Sequence, residues 1–460
     1  MTARLDRGSY AALYGPTTGD RVRLGDTDLW VEVEGDDTGY GDEILGGCGK
    51  TLRDGLLAAS RGPRDDALDL VVSNVLLLDP VLGARKTHIG VKDGRVAGVG
   101  RAGNPDLSDG VELAVDTHTA LVPGEGLIAT PGVVDSHVHL SSPEIAPAAL
   151  STGVTTVVGM GLGGVWDVGV NPAHNLHTLM AAWRDVPLNV AFLARGSSSS
   201  PRLLEEAVAA GAGGFKIHED FGATPGVVDV CLGVAEQADL PVALHTDSLN
   251  ESGYLADTVE ATRGRTVHAY HVEGGGGHPD LLEILSVPHV IASSTTPTLP
   301  YTVNTAAELF PMTMTVHRQN ARVASDVEIS RSRIRAHAIA AENVLHDLGA
   351  ISIVNSDSMG MGRIAETVRR TWQLAHLAAR RTGEQGPDQP ANARVLRYLA
   401  KLTVNPAIAH GLAHDVGSLQ RGRLADLVLW QPAWFGAKPE LVLKGGFVAW
   451  GVSASGSAST

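Results

Sequence analysis

Between residues 130 and 404, short apolar β-type runs alternate with helix-like stretches, and this alternation constrains the chain more than any other feature. Eight runs recur: "GVVDSHVHL" (132–140), "TTVVGM" (155–160), "NVAFLA" (189–194), "GFKI" (214–217), "PVALH" (241–245), "TVHAYH" (266–271), "HVIASS" (289–294) and "AISIVNSD" (350–357). Segments such as "SPRLLEEAVAAG" and "MGRIAETVRRTWQLAHLAARR" separate them. Unbroken apolar runs bounded by turn residues read as strands buried on both faces, the habit of parallel sheets. Eight βα repeats are what a closed parallel barrel needs. Upstream, "LDLVVSNVLLLDP", "THIGVKDGRVAGVG" and "LIAT" read as short strands with turns, and after residue 400 "LADLVLWQP" and "ELVLKGGFVAWG" return to that texture. The expected fold is therefore α/β: a (β/α)8 barrel with a small β domain formed by N-terminal and C-terminal segments. The expected divisions are 1–128 for the N-terminal region with the β domain, 129–404 for the barrel, and 405–460 for the segment that rejoins the β domain. "GEQGPDQPANA" (383–393) reads as a loop.

Bulk properties exclude several classes. A formal charge of −15 disfavours nucleic acid or an anionic membrane as partner. Two cysteines, Cys48 and Cys231, supply neither a disulfide framework nor a cysteine-based zinc site. The amino terminus lacks the apolar core of a secretory signal, and no run is long enough to span a membrane, so a cytoplasmic enzyme is expected.

The chemically useful residues fall at the ends of the runs. His137 and His139, at i and i+2, share one face of run one. Lys216 is near the end of run four, His245 ends run five, His271 ends run six and Asp357 ends run eight. In a parallel barrel the carboxyl ends of all strands converge on one mouth, so residues 220 positions apart meet there. Four histidines and an aspartate suit borderline divalent transition metals. A lysine at the end of a buried strand is expensive as a cation. As the adduct of a neutral amine with CO2 it becomes an anionic, bidentate carbamate, able to bridge two metals that share and activate a water. Taken singly, each of these groups has a plainer reading: a strand-end lysine snorkels, and a terminal aspartate caps a helix. The order His-x-His, Lys, His, His, Asp over five βα units is what selects a dinuclear site. His268 reads as a supporting residue, and His88, His118, His346 and His376 as structural.

The ligand order resembles the amidohydrolase superfamily, and longer strings resemble the urease alpha subunit: "YGPTTGDRVRLGDTDLWVEVE" (14–34), "YGDEILGGCGKTLRDG" (40–55), "KIHEDFGATP" (216–225), "ALHTDSLNESG" (243–253), "GRTVHAYHVEGGGG" (264–277), "PYTVNTAAE" (300–308), "AAENVLHDLGA" (340–350), "SDSMGMGR" (356–363) and "NPAIAHGLAHDVGS" (405–418). This resemblance covers nearly the whole chain. It implies a metal-dependent hydrolase splitting urea into ammonia and carbamate at two nickel ions. His137, His139 and Asp357 would bind one nickel and His245 and His271 the other, with carbamylated Lys216 between them. His218 would hold the urea carbonyl. His317 would be the proton donor, supported by Asp220 and Arg333, on a flap at about 310–335 that "VEISRSRIR" (327–335) closes as a lid. Partners implied are the urease beta and gamma subunits in a trimer of heterotrimers, and nickel-loading accessory proteins. The chain departs from the family pattern at Val316, where a cysteine is usual, at Leu309 in place of a second flap histidine, and over 161–175. Val165 and Gly360 stand where small, substrate-facing alanines are expected, and the family's carboxyl-terminal extension is not matched. These changes leave an alternative: a divergent amidohydrolase acting on a substituted urea, guanidine or other amide through the same metals. A non-catalytic paralogue is disfavoured by the complete ligand set.

Overall fold

The computed structural model describes residues 4–39, 41, 43–44, 64–160, 173–218, 223–245, 255–272 and 281–452. Eight parallel strands form the barrel: β1 Val133–His139, β2 Val154–Met160, β3 Asn189–Phe192 with its continuation Ala194–Arg195, β4 Phe215–His218, β5 Val242–His245, β6 Val267–Tyr270, β7 Val290–Thr295 and β8 Ile353–Asn355. Each predicted run supplies one strand. All neighbouring pairs from β1 to β8 are parallel. β3 changes partner at Leu193: its first piece pairs with β2 and its second with β4.

The ring closes between β1 and β8. Val138 bridges Ser358, and the His139 amide donates to the Ser358 carbonyl at 2.9 Å. β1 reaches this seam because its register against β2 shifts between Asp135 and Val138. The Asp135 carboxylate fills the gap, accepting from the amides of His137 (3.2 Å) and Ser356 (3.0 Å). The shift brings the Val138 carbonyl so close to Gly159 on β2 that no side chain fits there.

The β domain is one twisted sheet running Phe447–Gly451, Leu441–Lys444, Leu427–Trp430, Ile128–Pro131, Leu70–Asp79, Gly83–Lys92 and Gly35–Asp36. Chain segments from both ends thus share it. Ile128–Pro131 carries this sheet three residues beyond position 128, and the barrel begins at Val133. Two of its hairpins turn on Asp93-Gly94 and Gly445-Gly446, all with positive φ, which the twist of the strands favours.

Outer helices follow their apolar stripes. Thr367–Thr382 buries Val368, Trp372, Ala375 and Ala379, one per turn, and ends at Gly383 with φ 81°. The predicted lid helix over 327–335 is instead Ala324–Arg333, because Ile334 is extended. It follows helix Thr305–Val316 and precedes Ala336–Leu348. The loop over 383–393 yields its last residues to helix Asn392–Ala400, whose Asn392 side chain pairs with both backbone groups of Glu32 at 2.8 Å.

Candidate metal centre

The strand ends place five imidazoles in a continuous buried row. Ring centroids are 5.5 Å apart from His139 to His137, 5.3 Å from His137 to His271, 4.2 Å from His271 to His245 and 3.7 Å from His245 to His218. Strand register explains the last contact, since His218 and His245 are direct partners across β4 and β5. At one end, Asp357 Oδ1 lies 3.1 Å from His139 Nε2 and 3.3 Å from His137 Nε2. One ligand atom from each of His137, His139 and Asp357 falls within 4.8 Å of the others, a compact three-donor set. Lys216, only 2 % exposed, lies with its Nζ 4.0 Å from the centroid of the Tyr270 ring. A void of about 10 Å3 separates Lys216, Tyr270, His137 and His139, space for one water-sized occupant.

Backbone conformation marks two of these residues. His271 (φ 32°) and Asp357 (φ 52°) adopt the left-handed region that non-glycine residues rarely enter, and such strain concentrates at functional sites. In both cases the turn comes just past the last paired residue of a strand and aims the side chain inward.

The electrostatics suit a cation. Burial, then the charge of Lys216 and the neighbouring imidazoles, holds His137 well below its ordinary pKa, so it stays neutral and able to ligate. Among the described residues neither of its ring nitrogens makes a hydrogen bond, an expensive state for a buried polar group with no ligand to serve. Burial would raise Asp357, but the hydrogen bond from His139 and the charges of His139, His271 and Lys216 outweigh it and lower its pKa, keeping it anionic. Burial raises Asp135 to about 6. Four buried imidazoles, an anionic carboxylate and a buried lysine are a donor set that fits borderline divalent cations.

The other predicted residues are placed less directly. Gly360 adjoins the centre: a Cβ there would clash with Asp357 Oδ1 and stand 3.0 Å from His139 Nε2. His317 caps the end of helix Thr305–Val316 and its Nδ1 donates to the Thr313 carbonyl at 2.8 Å, so its proton chemistry is left to Nε2. The structure does not join His317 to the row of imidazoles. Arg333 is the last residue of helix Ala324–Arg333. Asp220 and Val165 lie outside the described residues. Leu309, where the family resemblance leads one to expect a histidine, is fully buried against Ile339 and Met361. A cleft of about 320 Å3 is lined by Thr296, Glu308, Met312, Met361, Arg363 and Arg370 among others, and by none of the imidazoles of the row. Sequence reasoning missed Asp135, Ser356 and Tyr270. The first was readable as the leading residue of Asp-x-His-x-His. The other two become visible only when β1, β6 and β8 meet.

Fold and donor set together define a metal-dependent hydrolase barrel. The amidohydrolase family profile matches residues 128–456, and the profile of the urease alpha-subunit N-terminal domain matches residues 3–122. Urease subunit alpha 2 of Streptomyces coelicolor is 53 % identical over 459 residues, 99 % of this chain and 82 % of its own length. Urease subunit alpha of Natronomonas pharaonis is 50 % identical over 455 residues, 97 % of this chain and 80 % of its own. The chain belongs to the urease alpha-subunit family. Solved structures with the same fold include dihydropyrimidinase from Brevibacillus agri (TM-score 0.59, 13 % identity, 82 % of this chain and 94 % of that one) and D-hydantoinase from Thermus sp. (0.58, 17 %, 83 % and 95 %).

Proposed function

We propose that this chain is the catalytic subunit of a urease, hydrolysing urea to ammonia and carbamate, which then yields CO2. The reading is carried by near full-length identity with urease alpha subunits, and supported by the four proposed histidine donors lying in one buried row. His137, His139 and Asp357 would hold one nickel ion, and His245 and His271 the second. Lys216, once its neutral amine had taken up CO2 and released a proton, would supply the anionic N6-carboxylysine group between them. The chemistry that two cations so held would supply is a nucleophilic water at neutral pH, through a lowered pKa. His218, beside His245, donates to the urea carbonyl oxygen. His317 delivers a proton from Nε2 to the departing ammonia, with Asp220 and Arg333 orienting it. Val165 and Gly360 shape the substrate pocket, and the flap at about 310–335 excludes water when closed.

The division at 1–128, 129–404 and 405–460 goes with this reading, as does assembly with beta and gamma subunits into a trimer of heterotrimers loaded by accessory proteins. Among the described residues no helix is long and apolar enough to cross a membrane, and a cytoplasmic location belongs to the same proposal. The test is hydrolysis of urea and a panel of substituted ureas by the co-expressed subunits after loading with nickel and bicarbonate. Turnover of urea within the ordinary enzyme range supports the proposal. Turnover of substituted ureas only would replace it with the second reading, a divergent amidohydrolase acting on a substituted urea, guanidine or other amide through the same metals. That reading is favoured by Gly360, which leaves open the space beside Asp357 Oδ1 and His139 Nε2 that a Cβ would fill.

A further inference from the structure

Tyr270 ends β6 and is 1 % exposed. Its ring stacks on His137 at 3.9 Å between centroids with 20° between planes. The Lys216 Nζ lies 4.0 Å from the same ring's centroid. Its hydroxyl donates to the carbonyl of Ser136, the residue that precedes His137. The edge of His268 meets the ring at 4.7 Å, and His268 Nδ1 is in turn 2.9 Å from His410 Nε2. One side chain therefore touches a residue assigned to the first cation, the residue assigned to bridge both, and the backbone of β1 between them.

We propose that Tyr270 is a positioning residue that sets Lys216 and His137 in place for metal capture; the inference rests on the metal-centre reading above. Lysine has a flexible four-carbon stem, and ordering it costs free energy at the moment a ligand must be made. An aromatic face beside its head group confines that stem in advance. The same ring packs along His137, so the imidazole cannot tilt without losing the stack. The ring itself is held at both ends, by its place in β6 and by the hydroxyl bond to Ser136. That bond also ties β6 to β1 one residue before the His-x-His pair. Tyr270 touches no reacting atom in this account; it acts through the two ligands.

The experiment measures nickel binding by the chain in bicarbonate buffer, through competition with a chelator and metal analysis, alongside thermal unfolding of metal-free and loaded protein. Tyr270→Leu should need at least tenfold more free nickel for half-saturation, and its nickel-induced rise in Tm should shrink. Tyr270→Phe keeps the ring and loses the Ser136 bond; a shift of about threefold is expected, with the metal-free Tm little changed. A purely structural tyrosine would lower the Tm of metal-free and loaded protein equally and leave half-saturation unmoved, and that result overturns the proposal. If the leucine variant does not fold, the phenylalanine variant decides: unchanged nickel half-saturation rejects the positioning role. Because the readout is metal occupancy, failure here leaves the urease reading standing. Failure of the parent chain to bind nickel at all would remove the metal-centre reading instead.

Discussion

The metal cradle and the flap are built on opposite terms. In the cradle every donor side chain is buried, and ring contacts and strand register leave each little freedom. The flap helices Thr305–Val316 and Ala324–Arg333 have no side-chain cap at their amino ends, and Pro311 interrupts the hydrogen bonding of the first. They are tied down through a small cluster in which Leu309, Ile339 and Met361 are buried and Tyr301 and Ile334 partly so. On the proposed reading, ligation falls to strands fixed by neighbours on both sides, and proton delivery to helices with a slender apolar root. A site that must hold cations and also admit substrate needs both kinds of construction.

The hardest way to break the contrast is to remove a cradle donor. Asp357→Ala or Lys216→Ala should lose bound metal and activity together, the latter by at least roughly the thousandfold expected when the nucleophile disappears; metal analysis beside the urea assay checks this. Full nickel occupancy in Lys216→Ala, with no small carboxylate added, would sink the bridging role. His317→Ala should keep its metal and lower kcat by roughly 10²–10⁴-fold, the range for losing a general acid. An unchanged kcat would put the proton donor elsewhere.

A third measurement sharpens the comparison through pH. Burial pushes His88 down to about 3, His410 down to about 4, and His268 and His346 well below 6.5. All four belong to the barrel, its helices or the β domain, and none to the flap. A histidine depressed in the fold takes up its proton more readily when unfolded, so its contribution is intact above about pH 6.5 and lost as pH falls below it. Each such group removes about 1.4 kcal/mol per pH unit in that window. The metal-free chain should therefore melt on the order of 5–10 °C lower at pH 5.5 than at pH 7.5. A flat profile would mean that these side chains titrate normally. The smallest effect is expected from Leu309→Ala. It leaves a cavity at the root of the flap costing about 2–4 kcal/mol locally, and should shift KM and kcat together by a few-fold while nickel content stays full. If nickel is lost as well, the two regions are less separable than their construction implies.

Much of the cradle is legible in the sequence, because parallel strands buried on both faces leave unbroken apolar runs whose ends can be counted. The Asp93-Gly94 and Gly445-Gly446 turns are equally plain, since few residue pairs tolerate two positive φ values. What cannot be read there depends on distant segments meeting. The partner change at Leu193 looks like ordinary strand. Asp135 gains its role only where Ser356 arrives from β8. Tyr270 reads as one more core aromatic until Lys216 lies over it. The sequence pattern puts the lid three residues late because Ser325 and Asp326, cap-forming residue types, lie inside the first turn of the helix and not before it, and the helix stops at Arg333 where Ile334 is extended.

The seam between β1 and β8 has a consequence for how the chain comes apart. His139 and Asp357 face each other across it from 218 positions away in sequence. A cation gripped by both is a cross-link, formally like a disulfide that spans most of the barrel. Closing a loop of that length removes about 5 kcal/mol of unfolded-chain entropy in the same chain-statistical picture. Demetallation would then act as the undoing of a clasp. Amide exchange should speed up first along β1 and β8, and only later in β3 and β7, which carry no proposed ligand.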